Sequence, residues 1–205
     1  MTKTYVVLDF ETTGLDFKEE QVTEIGAIKL NDNFEQVGIF HTFVALQDGN
    51  DISLYTEITL EQLETGISEA IAMAILKEFI GDSIVVAQWA PFDLAYLANY
   101  KIHPRHFICT KSLTSQAEPQ ESSSLGATCE RLGIPLENAH RALDDAKATA
   151  EVLKIRLEQV NSHRLVVGNT IVVTEGRPLN FVPRATEMII TKKGGEVVFD
   201  NREVR

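Results

Sequence analysis

Cysteine is scarce in this sequence of 205 residues, which contains only Cys109 and Cys129. The two fit no metal-ligand spacing, and without a secretory signature we interpret them as buried or incidental thiols in a reducing compartment. Long apolar runs are also lacking, and none approaches the roughly 18 residues that a membrane span requires. The N-terminus enters a predicted strand at once, with no signal peptide ahead of it. These absences predict a cytoplasmic protein with no disulfide framework and no membrane partner.

Basic residues are the second scarcity. The chain has 19 Lys and Arg against 30 Asp and Glu, which gives a net charge of −11. Because phosphate contacts need Lys and Arg, this balance predicts weak non-specific affinity for long polyanions. An acidic enzyme can still act on phosphodiesters if bound divalent cations offset its carboxylates. Residues 161–205 differ from the rest, with seven Lys or Arg against five Asp or Glu.

The chain does have enough apolar material for a full core, because 44% of its residues are hydrophobic and 24% are charged. Strand and helix patterns alternate along the first 160 residues. Strands are predicted over 4–8, 21–30, 37–46, 83–87 and 105–110, and helices over 59–80 (with a break at Gly66), 91–98, from 123 or 124 to 132, and about 139–160. The first three strands form an antiparallel meander, whereas the wholly apolar strand 83–87 is typical of a buried parallel strand. We therefore predict an α/β fold, a mixed five-stranded sheet flanked by helices.

Residues 161–205 change character. Short β-like runs occur at 165–167, 170–174, 188–191 and 197–199, between turn signals such as Gly168-Asn169 and Gly194-Gly195. No clear linker and no internal repeat is present. We predict one domain over residues 1–160 and a small β-rich C-terminal extension over residues 161–205.

Two carboxylates, Asp9 and Glu11, follow the first predicted strand and precede a turn at Gly14. Residues i and i+2 of a strand share a face, so these acids point the same way. Like charges that close repel unless a cation or a shared proton lies between them. The alternative is a solvated strand end, and a metal site here needs further ligands from elsewhere in the chain.

A third carboxylate, Asp93, lies in the opening turn of the helix predicted to begin at Pro91. This junction lies beside the carboxyl end of a buried strand, where open α/β sheets bind ligands. The alternative is an acid that the helix macrodipole alone favours at this position.

The segment 139–146 supplies the last candidates, His140 and Asp145. Asp145 lies at the edge of the apolar stripe of the following helix, whereas Asp144 lies on its flank. Asp145 should therefore point into the protein, where a carboxylate needs a partner. His140 precedes the helix and can reach the same site, although an exposed loop histidine is the alternative.

Together these positions offer four carboxylates, one histidine and no cysteine. All-oxygen ligands suit Mg²⁺ or Mn²⁺ rather than zinc. Two such ions are the usual machinery for in-line attack on phosphorus. A nearby histidine titrates near neutral pH and can take the proton of the attacking water.

Three segments resemble the three exonuclease motifs of the DnaQ-like, DEDDh family, which includes the proofreading ε subunits of bacterial replicases. They are Asp9-Phe10-Glu11-Thr12-Thr13-Gly14-Leu15, Ala90-Pro91-Phe92-Asp93-Leu94-Ala95-Tyr96-Leu97 and His140-Arg141-Ala142-Leu143-Asp144-Asp145-Ala146. Their order and separation match the family, and the third has its histidine-to-aspartate spacing. The resemblance covers roughly residues 4–160.

The resemblance implies an RNase H-like fold and 3′→5′ release of nucleoside monophosphates from single-stranded ends, with DNA favoured over RNA. It implies two Mg²⁺ or Mn²⁺ ions held by Asp9, Glu11, Asp93 and Asp145, and His140 as the general base. The residues that would hold the terminal nucleotide are Phe10, Thr12, Thr13, Gly14, Leu15 and Phe92.

The second motif departs from the family pattern, which usually opens His-Asn-Ala where this chain has Gln88-Trp89-Ala90. The metal ligand that follows is kept, so the departure concerns how the site grips the terminal nucleotide. Trp89 could stack on a base or belong to the core.

Two rival functions stay open. Trimming of RNA 3′ ends is compatible with the same motifs. The 2′-hydroxyl group distinguishes RNA from DNA, and no motif in the sequence indicates that the protein recognises it. The second rival is a non-catalytic, polymerase-associated module. Such a module would be expected to have lost a metal ligand, whereas all four metal ligands and the histidine are present in this sequence. The ε subunits of the family bind their polymerase through a tail beyond the nuclease domain. Residues 161–205 could do the same, or clasp the substrate, or form a dimer.

Overall fold

The computed structural model of the protein describes residues 3–47, 49–52, 56–136 and 138–198. A mixed five-stranded sheet lies at its centre, in the order β3-β2-β1-β4-β5. Its strands are β1 (Tyr5–Thr12), β2 (Val22–Leu30), β3 (Gln36–Phe43), β4 (Ile84–Ala87) and β5 (Phe107–Cys109). The first three strands pair antiparallel, and β4 pairs parallel with both β1 and β5. The predicted meander and mixed sheet are confirmed.

Helices cover both faces of this sheet. They are α1 (Leu60–Glu64), α2 (Glu69–Ile80), α3 (Ala90–Asn99), α4 (Thr110–Ala117), α5 (Leu125–Leu132), α6 (Ala142–Glu158) and α7 (Val160–His163). Alternate residues of β1 face opposite layers: Val6 and Leu8 pack with α2 and α3, whereas Val7 packs with α6. Asp9 and Glu11 share the parity of Val7, so β1 directs them to the side that α6 covers.

The predicted break at Gly66 is confirmed, because α1 ends at Glu64 and α2 begins after Ser68. Other boundaries differ from the sequence prediction. The predicted strand over 105–110 is shorter, and α4 follows it directly. Helix α6 begins at Ala142, three residues later than predicted.

Gly26 sets the distance between α6 and the sheet. It lies opposite Asp9 in the pairing of β1 with β2. A Cβ atom on Gly26 would lie 2.2 Å from the carbonyl carbon of Ala142 and 2.2 Å from the backbone nitrogen of Leu143. A side chain cannot fit there without moving backbone. The missing side chain therefore lets the first turn of α6 lie directly against the strand next to Asp9.

The C-terminal residues form a second sheet, β6 (Thr170–Thr174), β7 (Met188–Lys193) and β8 (Glu196–Val198), in that order. The predicted runs at 170–174 and 188–191 are strands. The run at 165–167 is not, because Leu165 packs into the core without strand pairing. The run at 197–199 corresponds to β8, and Phe199 lies outside the described residues.

This second sheet packs on the first one. Ile171 of β6 is fully buried in the same cluster as Phe107 of β5. The backbone N–H of Asn169 donates to the carbonyl oxygen of Phe107 at 2.9 Å, and the Asn169 side-chain Oδ1 accepts from the Phe107 N–H at 2.9 Å. Cys109 and Cys129 are both free and buried. Within the described ranges, we find no helix with the length and apolar character needed to cross a membrane.

Candidate active site

The motif residues meet in one open cleft of about 770 Å³ at the end of β1. Most of the predicted site residues line it: Asp9, Phe10, Glu11, Thr12, Thr13, Gly14, Leu15, Phe92, His140 and Asp145. Asp93 is the exception, because it is only 3% exposed and is buried in the first turn of α3. Together with burial, its charge raises the pKa of Asp9, which lines the cleft.

Three separate elements bring the acids together. β1 supplies Asp9 and Glu11, α3 supplies Asp93, and the first turn of α6 supplies Asp145. Ligand atoms of Glu11, His140 and Asp145 all lie within 4.8 Å of one another. α3 packs on the face of β1 that carries Val6 and Leu8, whereas α6 packs on the face that carries Val7, so the two helices approach the strand from opposite faces.

Two buried oxygens at this site have no hydrogen-bond partner among the described residues. They are Oδ1 of Asp93 and Oδ1 of Asp145. A buried carboxylate oxygen without a partner carries a large desolvation cost. A divalent cation that prefers oxygen ligands would remove that cost. The donor set therefore fits Mg²⁺ or Mn²⁺.

Asp144 and Asp145 have different surroundings although they are adjacent. Asp144 accepts hydrogen bonds from Lys147 at 2.9 Å and Asn138 at 3.0 Å, and these bonds hold its pKa below the usual range. Asp145 instead faces the cleft, and its Oδ2 accepts a long bond of 3.4 Å from the His140 N–H. Only Asp145 is placed to bind an ion in the cleft.

Burial and mutual repulsion raise the pKa values of the cleft carboxyls. The pKa of Asp9 lies well above its usual range because of burial and the charges of Asp93 and Asp145. Burial raises the pKa of Asp93 to about 8, although backbone N–H bonds oppose the shift. Burial and the charge of Asp145 raise the pKa of Glu11 to about 7. Burial raises the pKa of Asp145 to about 6.

These shifts predict that Mn²⁺ stabilises the fold more at pH 8 than at pH 6. Carboxyl pKa values near 4 in the unfolded chain rise to between about 6 and 8 in the metal-free folded chain. The folded state therefore holds more protons, and these groups make metal-free stability fall as pH rises from about 4 through 8. A cation competes with those protons, so its affinity rises over the same interval.

Thermal unfolding with and without Mn²⁺ at pH 6, 7 and 8 measures this difference. A concentration of 100 times Kd would add about 2.7 kcal/mol to the free energy of unfolding. Asp144→Asn is the control and should keep the full pH dependence. An identical shift of Tm by Mn²⁺ at pH 6 and pH 8 would contradict the assignment of these carboxyls as ligands.

Glu24 is a residue at this site that the sequence reasoning missed. It is fully buried in β2 and lies opposite Glu11. Its carboxylate accepts from Arg141 Nη2 at 3.0 Å, from the Ala142 backbone N–H at 3.2 Å and from His41 Nε2 at 2.6 Å. Glu24 therefore anchors the chain immediately after His140. The signal in the sequence was a carboxylate in the middle of an otherwise largely apolar strand, where it needs a partner.

Loop 49–52 forms the far wall of the cleft, and Gln21 fixes it. Oε1 of Gln21 accepts from the Gln47 backbone N–H at 2.7 Å and from Asn50 Nδ2 at 2.8 Å. The sequence predicted no helix or strand between the strand at 37–46 and the helix at 59–80. Short polar loops carry no periodic signal, so nothing in the sequence assigned this wall to the site.

The turn after β1 pushes Leu15 into solvent. Thr12 and Tyr96 each donate a hydroxyl hydrogen bond to the Gly14 carbonyl oxygen, at 2.6 and 2.9 Å. The Thr13 hydroxyl donates to Glu20. Leu15 is 81% exposed as a result. An apolar side chain held in solvent at the mouth of a cleft is available to a ligand.

Gln88, one of the residues by which the second motif departs from the family pattern, has a structural role. Its Oε1 accepts from the Thr110 hydroxyl at 2.5 Å, and its Nε2 donates to the Ser123 carbonyl oxygen at 2.9 Å. Trp89 is half-buried against the core and does not line the cleft. Lys111 Nζ lies 4.7 Å from the centre of its ring.

Comparisons with known proteins agree with this geometry. The model of the exonuclease family (RNase_T) matches residues 6–153. PolC-type DNA polymerase III of Clostridium perfringens (strain 13 / Type A) is 36% identical over 164 residues, which cover 76% of this chain and 11% of that protein. The chain thus spans about a tenth of the length of the PolC-type relatives that it matches.

Two solved structures share the fold. The nuclease domain of 3′hExo, a DEDDh family member bound to rAMP, has a TM-score of 0.66 at 18% identity and covers 81% of this chain and 96% of that one. Escherichia coli exonuclease I in complex with a dT13 oligonucleotide has a TM-score of 0.66 at 18% identity, over 79% of this chain and 42% of that one. With its fold, its motifs and the family match in agreement, this chain belongs to the exonuclease family, as a member of the DEDDh type.

Proposed function

We propose that this exonuclease removes nucleoside 5′-monophosphates from the 3′ end of single-stranded DNA, with two bound divalent cations. The observation that supports it is the pair of unpartnered buried oxygens on Asp93 and Asp145. Asp145 lines the cleft with Asp9 and Glu11, and Asp93 is buried in the first turn of α3.

Asp9, Glu11, Asp93 and Asp145 would hold the two Mg²⁺ or Mn²⁺ ions. When bound, such ions supply an activated water and neutralise charge on the phosphate. His140 takes the proton of the attacking water, for which its exposed position at the rim is suited. His140 has a φ of 67°, a conformation rare for residues other than glycine, and its N–H donates to Asp145.

The terminal nucleotide would lie between the turn after β1 and loop 49–52. Leu15 and Phe92 offer apolar surface for its base, and both line the cleft. Phe10, Thr12, Thr13 and Gly14 also line the cleft beside them.

DNA is favoured as the substrate because the PolC-type relatives are DNA polymerases and exonuclease I was solved with an oligonucleotide of dT. RNA is the rival, since 3′hExo was solved with rAMP. Degradation of matched single-stranded DNA and RNA, labelled at the 5′ end, tests both in Mg²⁺, Mn²⁺ or chelator. Metal-dependent laddering of DNA supports the proposal. Laddering of RNA alone would replace it with RNA 3′-end trimming.

A polymerase subunit is a further proposed partner, on the ground of the PolC-type relatives. We also propose that the chain divides into a nuclease domain (1–160) and an extension (161–205). A pull-down of a replicative polymerase with the full chain tests the partner, with a variant altered on the exposed face of the extension as control. No polymerase retained by the full chain would count against the subunit role.

We expect Glu24→Gln to lower kcat by about 10- to 100-fold with little change in KM, the scale typical of residues that orient a catalytic group. The change removes the charge that holds Arg141 and the start of α6, so His140 loses its position. Steady-state kinetics on a labelled oligonucleotide measures the effect, with Tm as a check on folding.

Glu151→Gln is the matched control, because Glu151 is an exposed acid on α6 that pairs only with Lys154. If Glu24 acts through His140, the double variant Glu24→Gln/His140→Ala should be no slower than His140→Ala alone. Additive losses in the double variant would argue that Glu24 does not act by positioning His140.

A further inference from the structure

A second cavity, of about 290 Å³, lies beside the cleft, between α3, α4 and the C-terminal sheet. Its walls come from the turn after β1, from α3 and α4, and from the C-terminal sheet with the segment that follows β6. Its volume is near the lower end of the range of roughly 300–1,000 Å³ typical of small-molecule sites. We call it the tail cavity, because residues 172–192 form about half of its lining.

Three basic side chains line the tail cavity, Lys111, Arg177 and Lys192, and no carboxylate does. None of the three pairs with an acid among the described residues, and Lys192 donates only to the Glu121 carbonyl oxygen at 3.3 Å. This is unusual in a chain with a net charge of −11. Burial lowers the pKa of Lys111, Cys109 opposes that shift, and the charge of Arg177 adds to it. Such a cluster attracts an anion.

Four aromatic side chains also line the tail cavity, and we call them the aromatic wall. They are Phe17, Trp89, Phe92 and Phe181, and Phe17 contacts Phe181 edge to face at 5.5 Å between ring centroids. Lys111 lies over the Trp89 ring, so the cations and the rings are neighbours. A cavity lined by both cations and aromatic rings matches a nucleotide, which has a phosphate and a flat base. A carboxylate or an inorganic anion would leave the aromatic wall unused.

The tail cavity adjoins the catalytic cleft, because Leu15 and Phe92 line both. Acidic side chains line the cleft, and basic side chains line the tail cavity. The exposed Leu15 lines both. A strand whose last nucleotide occupies the cleft would therefore pass Leu15 and enter the tail cavity. Electrostatics favours this direction, since the metal-bound acids take the scissile phosphate and the free cations take the next one.

We propose that the tail cavity binds the nucleotide that precedes the 3′-terminal one, with its base on the aromatic wall and its phosphate among Lys111, Arg177 and Lys192. The C-terminal sheet is then part of the substrate site. This inference rests on the proposed function, because it takes the cleft as the site of the terminal nucleotide. The proposal also places Trp89 against the preceding nucleotide rather than the terminal one. Trp89 is one of the residues by which the second motif departs from the family pattern.

The double variant Arg177→Ala/Lys192→Ala tests the basic wall. Its matched control is Lys77→Ala/Lys193→Ala, which removes the same charge outside the cavity. With a labelled oligonucleotide we expect KM to rise about tenfold in the double variant and to stay within twofold in the control. The dependence of log K on log salt should weaken by about 0.7 for each lost phosphate contact.

A substrate that lacks the preceding nucleotide separates this role from general damage. The p-nitrophenyl ester of thymidine 5′-monophosphate carries only the terminal nucleotide, and we expect both variants to turn it over within twofold of wild type. Equal losses on the ester and the oligonucleotide would overturn the proposal, as would an oligonucleotide KM that matches the control.

Binding supplies a readout that does not need turnover. Trp89 is the sole tryptophan in the chain. Its fluorescence should be quenched by a 5′-phosphorylated thymidine dinucleotide with a hydrolysis-resistant linkage, but not by thymidine 5′-monophosphate. Equal quenching by the monophosphate would overturn the proposal. If wild type turned over neither substrate but the dinucleotide quenched Trp89 and the double variant bound it more weakly, the tail cavity would stand and the exonuclease mechanism would fall.

Discussion

Asp145→Asn is expected to reduce release of 3′-terminal nucleotides by roughly a thousandfold, the scale lost when one preorganised charged group leaves a catalytic site. The change removes the charge of a carboxylate whose buried Oδ1 has no protein partner among the described residues. The amide keeps the shape of the side chain, so the loss reports on the missing charge and not on packing. Single-turnover assays at saturating Mn²⁺ measure it.

Asp144→Asn is the matched control, one residue away on the same helix turn. Asp144 pairs with Lys147 and Asn138 on the flank of α6, where an exposed pair contributes little. We expect its activity to stay within about threefold of wild type, since surface substitutions seldom exceed about 0.5 kcal/mol. Equal losses in the two variants would show that the assignment of helix faces is wrong.

His140→Ala is expected to lower turnover by about 10²- to 10⁴-fold, the range for removing a general base. The backbone N–H that contacts Asp145 remains, so the increase in Tm on adding Mn²⁺ should persist. Added imidazole should restore part of the rate, because it can replace the missing proton acceptor in an open cleft. Turnover with and without imidazole, together with Tm, measures these effects.

His163→Ala serves as the control, since His163 is an exposed histidine at the end of α7. It should leave turnover and metal response unchanged. Normal turnover in His140→Ala would remove the general-base assignment. Loss of the Mn²⁺ response in that variant would instead place His140 among the metal ligands, an arrangement that its closeness to Glu11 and Asp145 allows.

The sequence predicted the parts of the site that local periodicity controls. Two-residue alternation in β1 placed Asp9 and Glu11 on one face. The helical stripe of α6 separated Asp145 from Asp144. The order of strand and helix patterns predicted the mixed sheet, and the three motifs indicated the family.

The parts that depend on contacts between distant residues were not predictable in this way. The role of Glu24 depends on the register of β1 with β2 and on Arg141, which is far along the chain. Helix α4 was missed because its sequence, TKSLTSQA, has little apolar periodicity and is stabilised by packing on α6 and β6. Residues 165–167 have a β-like composition but pack as an irregular segment, since no strand lies beside them to pair with.

The bonds between Asn169 and Phe107 have a consequence for aggregation. β5 is the last strand of the five-stranded sheet, and its outer edge would present free N–H and C=O groups. Asn169 satisfies both groups of Phe107, one through its backbone and one through its side chain. An uncovered edge strand of this apolar kind recruits strands from other chains. We therefore expect a chain that ends near residue 160 to be insoluble. In the full chain, Asn169 covers this edge, so that β5 of one copy is not available to pair with a strand of another.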